Sequence, residues 1–100
     1  MPYNKDSSGY GFAMTKNELI NAVRKDIIGE LEAIIQYDGH YNSTDNVVAK
    51  KVWADIRDEE KVHVGELFTL LNYLDPGEAK FFIEGQEEVK ELLGELNIKM

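Results

Sequence analysis

Along two stretches of this chain, apolar residues recur at alternating gaps of three and four, the period of one face of an α-helix. The first series is Ile20, Val23, Ile27, Glu30, Ile34, Tyr37 and Tyr41. Before it stands Thr15-Lys16-Asn17-Glu18, in which the Thr15 hydroxyl can accept from the first turn while Glu18 reaches back, so the pattern predicts a helix capped by Thr15 and running to about Tyr41. The second series is Ala49, Trp53, Ile56, Glu60, His63, Leu67, Leu70 and Leu74, and it predicts a helix over about 45–74. The intervening segment from Gly39 to Asp45 is short and rich in turn formers, so the two helices should fold back as an antiparallel hairpin. Asp75-Pro76 stops one helix and starts the next, since Asp can cap and Pro is tolerated at the first helical position. A short helix over about 76–83 is predicted, broken near Gly85, with one or two further turns carrying Val89, Leu92, Leu93 and Leu96. Residues 1–14 have no period and read as a flexible arm whose candidate docking residues are Tyr3, Tyr10 and Phe12. The organisation is therefore all-α: an arm over 1–14, a helical hairpin over 15–75 and a C-terminal helical extension over 76–100.

At 100 residues the chain is one domain's worth, and 43% hydrophobic content against 30% charged is too apolar for a disordered acidic tail. Nineteen acidic against eleven basic side chains leave a formal charge of −8, which argues against a nucleic-acid partner and for the gathering of cations. With no cysteine, disulfides, thiolate zinc sites, iron–sulfur ligation and Cys nucleophiles are excluded together, so any metal must be held by oxygen and imidazole nitrogen. The first fourteen residues do not form a secretory signal and no later run approaches membrane-spanning length, which makes a soluble, cytoplasmic protein the expectation. The triplet Asn42-Ser43-Thr44 has the form of a glycosylation acceptor and reads here as a polar inter-helix turn.

Candidate chemistry lies where charge interrupts the apolar stripes. Asp26, Glu32, Asp38, Asp55, Asp58, Glu59 and Glu66 mostly fall off the stripes and read as solvated, and His40 near the turn reads as exposed. Glu30, Glu60 and His63 fall on the stripes, where an uncompensated charge costs several kcal/mol, roughly, even after relaxation. A shared cation would relieve all three. Glu60 and His63 form the chain's one Glu-x-x-His tetrad, whose members sit one above the other on a helix. Ferritin-like di-iron bundles take a Glu from each of two helices and a Glu-x-x-His from each of two others. This chain carries half of that set, and two copies carry all of it. A two-fold dimer closing a four-helix bundle around two metals follows. Carboxylates and imidazoles without sulfur suit iron or manganese better than copper, although zinc would also bind. Tyr37, on the face of Glu30, is placed either to hydrogen-bond a ligand or a bound oxygen species, or to pack as an ordinary aromatic. The competing reading of the triad is a buried polar device that fixes helix register.

At these residues the sequence resembles a known family. Gly29-Glu30-Leu31-Glu32-Ala33 with Tyr37-Asp38, then Arg57-Asp58-Glu59-Glu60-Lys61-Val62-His63, is similar to the encapsulated ferritins, ferritin-like hairpins enclosed in encapsulin nanocompartments. The tracts Val62-His63-Val64-Gly65-Glu66, Leu74-Asp75-Pro76 and Glu87-Glu88-Val89-Lys90-Glu91-Leu92 resemble the form fused ahead of an encapsulin shell protein. The resemblance implies a ferroxidase in which Glu30, Glu60 and His63 bind iron between subunits, with Tyr37 beside them. It implies oxidation of Fe(II) by O2, a homodimer that assembles into a ring, typically a decamer, and a location inside an encapsulin shell that stores the mineral. Many members carry a Glu immediately before the ligand Glu, where metal is taken up; that position is Gly29 here, and Glu32 is the remaining uptake acid. The alternatives weighed against a ferroxidase are a rubrerythrin-type di-iron peroxidase, for which the cysteines of an electron-delivery site are missing, and a non-enzymatic helical dimerisation module.

Overall fold

In the computed structural model, residues 13–99 are described, and Tyr3, Tyr10 and Phe12 lie outside the described residues. Three helices account for nearly all of the described chain: α1, Lys16–Tyr41; α2, Val47–Leu74; and α3, Pro76–Glu95. No strand occurs among the described residues. The start of α1 is the reciprocal cap read from the sequence. The Thr15 backbone N–H donates to Glu18 Oε1 at 2.9 Å, and the Glu18 N–H donates to Thr15 Oγ1 at 3.2 Å. The bond from the Thr15 backbone, and then that involving its hydroxyl, holds the Glu18 carboxyl below its ordinary value.

Helix α2 begins at Val47, two residues later than the spacing suggests, because Asn46 supplies the cap: its Oδ1 accepts from the Ala49 N–H at 2.9 Å. Asp75 both ends α2 and caps α3, its Oδ1 accepting from the Glu78 N–H at 3.1 Å with Pro76 as the first helical residue. The break expected near Gly85 does not occur, and α3 runs 20 residues without interruption. A glycine in a helix interior costs about 1 kcal/mol against alanine, which weakens a helix without ending it when good helix formers flank it on both sides.

The hairpin buries its core toward one end. Ile20, Val23 and Ile27 of α1 meet Leu71 of α2, with Leu67, Leu74 and Phe82 packed against them. At the end of α2 the inward position is Leu71, while Leu70 stays exposed. Helix α3 packs along this end of α2, where the Phe68 and Phe82 rings meet edge to face at 5.9 Å. Arg24 ties α1 to the elbow, donating to Glu78 Oε1 at 2.9 Å with Asp75 Oδ2 at 3.7 Å. Ile28, Ile35, Val48, Val52, Val62, Phe81, Val89 and Leu92 are each at least half exposed, so every helix leaves an apolar face bare.

Candidate metal centre

The antiparallel hairpin sets the middle of α1 against the middle of α2, and this is where the charged interruptions of the two stripes meet. One ligand atom each from Glu30, Glu60 and His63 lies within 4.8 Å of the others, the only such group of metal-capable side chains among the described residues. His63 Nδ1 is 3.6 Å from Glu30 Oε2 and 3.8 Å from Glu60 Oε2. Both separations are too long for hydrogen bonds. Glu30 Oε2 is buried and has no hydrogen-bond partner. The side chains of Glu30 and Glu60 are largely covered, whereas the His63 ring is about half exposed, 46%. The three groups thus converge without satisfying one another. A register device would pair its members, and an unpaired buried acceptor costs about 1–3 kcal/mol. Two carboxylates and an imidazole fit a hard or borderline divalent cation such as iron or manganese, and three donors leave the coordination of such an ion incomplete.

Beside this triad is a cleft lined by Lys25, Asp26, Gly29, Glu30, Glu60 and Leu67. A Cβ built on Gly29 would meet nothing within 4 Å, so packing within the chain does not require a glycine there. Glu32 is exposed and stands outside the triad. Tyr37 is half-buried two turns beyond Glu30, and its ring meets that of His40 edge-on at 6.3 Å. His40 is exposed, as the turn-rich segment suggested, yet it is not merely solvated: its ring lies 5.0 Å from that of Trp53.

Two residues escaped the reading by periodicity. Asp26 is exposed, as its place off the stripe suggests, and also lines the cleft beside the triad, one turn before Glu30. Arg57, off the apolar series and given no role, bridges the helices. It donates from Nη1 to Asp38 Oδ1 at 2.9 Å and from Nε to Asp58 Oδ1 at 3.2 Å. The bond to Asp38, followed by that to Asp58, raises the Arg57 guanidinium above its ordinary value. The charge alternation along this turn of α2 was the one signal that could have marked it.

The chain has counterparts among known proteins. The chain is 45% identical over 82 residues, 80% of its length, to a ferritin-like–encapsulin shell fusion protein of Pyrococcus furiosus. It is 36% identical over 77 residues, 77% of its length, to the encapsulin nanocompartment cargo protein EncC of Myxococcus xanthus. The chain spans 23% of the length of the first relative and 59% of the second. No protein-family model matches the chain. The crystal structure of the encapsulated ferritin domain from Pyrococcus furiosus superposes with a TM-score of 0.82 at 37% identity, covering 94% of this chain and 96% of that one.

Proposed function

The chain belongs to the encapsulated ferritin family, and from that premise we propose that it is a ferroxidase which oxidises Fe(II) with O2 as the cargo of an encapsulin shell. The observation that carries the reading is the buried, unpartnered Glu30 Oε2 converging with Glu60 and His63 from the facing helix.

Fe(II) is the substrate, and the protein's part is to bind it, hold its ligands in place and set the charge around it. Glu30 and Glu60 bring two negative charges per chain, so two chains facing across a two-fold bring four, matched to two Fe(II) ions. Attraction to those carboxylates grows with the charge of the ion, so the site favours Fe(III) over Fe(II) and promotes loss of one electron from each ion to O2. His63, bound through neutral imidazole nitrogen, fixes direction where carboxylates can shift between binding modes. In this reading Tyr37 is the hydrogen-bonding tyrosine of the site. Glu32, exposed two residues after Glu30, is the uptake acid in the same reading.

Half a ligand set per chain and bare apolar helix faces support a homodimer that completes a four-helix bundle around a di-iron site. Assembly of dimers into a ring, a decamer, and enclosure within an encapsulin nanocompartment complete the proposal. Anaerobic titration should saturate at two Fe(II) per dimer, with a diferric absorbance on admitting air. Full oxidation rates in Glu60→Ala or His63→Ala would refute the assignment. Oxidation that proceeds with peroxide and not with O2 would point instead to peroxidase chemistry.

A further inference from the structure

We infer that Arg57 is a positioning residue for the metal centre, holding the turn-side half of the hairpin in the register at which Glu30 faces Glu60 and His63. The inference rests on the metal-binding reading above. Packing is uneven about the triad. Every buried side chain among the described residues lies on the side of the triad away from the turn, with Ile20, Val23 and Ile27 before Glu30 and Leu71 after His63. Toward the turn, Ile34, Tyr37 and Tyr41 on α1 and Ala49, Trp53 and Ile56 on α2 are only half-buried. A hairpin held at one end by apolar contact can slip at the other, and a shift of one residue along a helix moves a side chain about 1.5 Å and turns it by about 100°. Either displacement would undo a triad whose atoms lie within 4.8 Å of one another.

Arg57 opposes such slippage across the half where packing is weakest. It sits one turn before Glu60, and its guanidinium spans to Asp38 on α1 at 2.9 Å while its Nε is held by Asp58 at 3.2 Å. The Tyr41 ring at the end of α1 lies 5.2 Å from the same guanidinium. Lys50 adds to the grip, with its Nζ 3.9 Å from the centre of that ring and donating to the Tyr41 carbonyl at 2.8 Å. Only 19% of the Arg57 side chain is exposed, which is low for an arginine at a helix surface. A planar fork with two anchored nitrogens fixes direction in a way that an ammonium cannot. Ion pairs this close to solvent contribute little to stability. Their effect should therefore appear in the ligands rather than in the melting temperature.

The test uses the full chain with Arg57→Gln, Arg57→Lys, Asp38→Asn and the double variant Arg57→Gln/Asp38→Asn, each confirmed helical by circular dichroism. Anaerobic Co(II) and Fe(II) titrations should show about tenfold weaker binding in Arg57→Gln and Asp38→Asn, the low end of the loss when the groups that orient metal ligands are removed, because these two act through the backbone register and touch no ligand. The double variant should be no weaker than either single one, because both act through one contact. Arg57→Lys should recover only part of the loss. Hydrogen exchange on the metal-free chains should quicken in residues 31–41 of Arg57→Gln while residues 20–27 stay protected. Unchanged affinity with a lowered melting temperature would overturn the inference, and so would unchanged exchange. A parent chain that binds neither ion would overturn the metal reading, and exchange would still decide whether Arg57 holds the register.

Discussion

Replacing Glu30 by Gln separates a metal site from a structural polar cluster, because the two readings predict opposite signs. Glu30 Oε2 is buried with no partner, 3.6 Å from His63 Nδ1, and one ligand atom each of Glu30, Glu60 and His63 lies within 4.8 Å of the others. Leaving such an acceptor unsatisfied costs about 1–3 kcal/mol. The amide is nearly isosteric, removes the negative charge and brings an N–H donor toward the remaining carboxylate. Metal-free Glu30→Gln should therefore be more stable than the parent by about 1 kcal/mol, or roughly 4–8 °C in melting temperature for a domain of this size. Metal reverses the order. At a free-ion concentration a hundredfold above the dissociation constant the parent should gain about 2.7 kcal/mol, on the same scale a rise of roughly 10–20 °C. The variant should gain almost nothing. Thermal denaturation followed by circular dichroism, with EDTA and then with anaerobic Fe(II) or Co(II) at one fixed protein concentration, reads both quantities. If Gln lowers the metal-free melting temperature and keeps the metal-induced rise, the cluster is a structural device and the reasoning fails.

Two further outcomes test the fold. Gly85→Ala should stabilise α3 by about 1 kcal/mol, since the added Cβ meets nothing within 4 Å and alanine is the better helix former; a loss of stability at equal helicity would show that the gap beside Gly85 is occupied. For Glu18, the folded-state shift is downward from 4.5, so its contribution is present above that value and is lost as pH falls through the lower folded value. The stability difference between the parent and Glu18→Gln should accordingly favour the parent near neutral pH and shrink as pH falls below the ordinary carboxylate value; a difference independent of pH would contradict the cap.

The hairpin was legible because its signals are local. Thr15 and Glu18 sit three apart, Asp75 precedes Pro76, and the apolar stripes keep one period from Ile20 to Tyr41 and from Ala49 to Leu67. The triad was legible for the same reason, as charge on a stripe where apolar side chains belong. Periodicity failed where it had to give way to neighbours. At the end of α2 the stripe passes to Leu71, because there the helix must meet both α1 and Phe82 of α3. Gly85 suggests a break on composition, although its cost is too small to stop a helix with Glu84 before it and Gln86, Glu87 and Glu88 after it. Arg57 and Asp38 could not be paired from sequence at all. They lie 19 residues apart, and a long, flexible side chain chooses its partner only after the backbone has folded. Asp26 shows the limit from the other side: its position off the stripe is as read, but which off-stripe acids border the triad depends on how the helices are rolled against each other.

The described chain measures 50 × 43 × 16 Å. Its shortest dimension is little more than one α-helix with its side chains, about 10–12 Å across. A plate that thin can bind an ion on its surface but cannot wall off a volume around it. On the proposed reading, the room that a growing deposit needs would have to come from the curvature of many plates set side by side, or from a container around them.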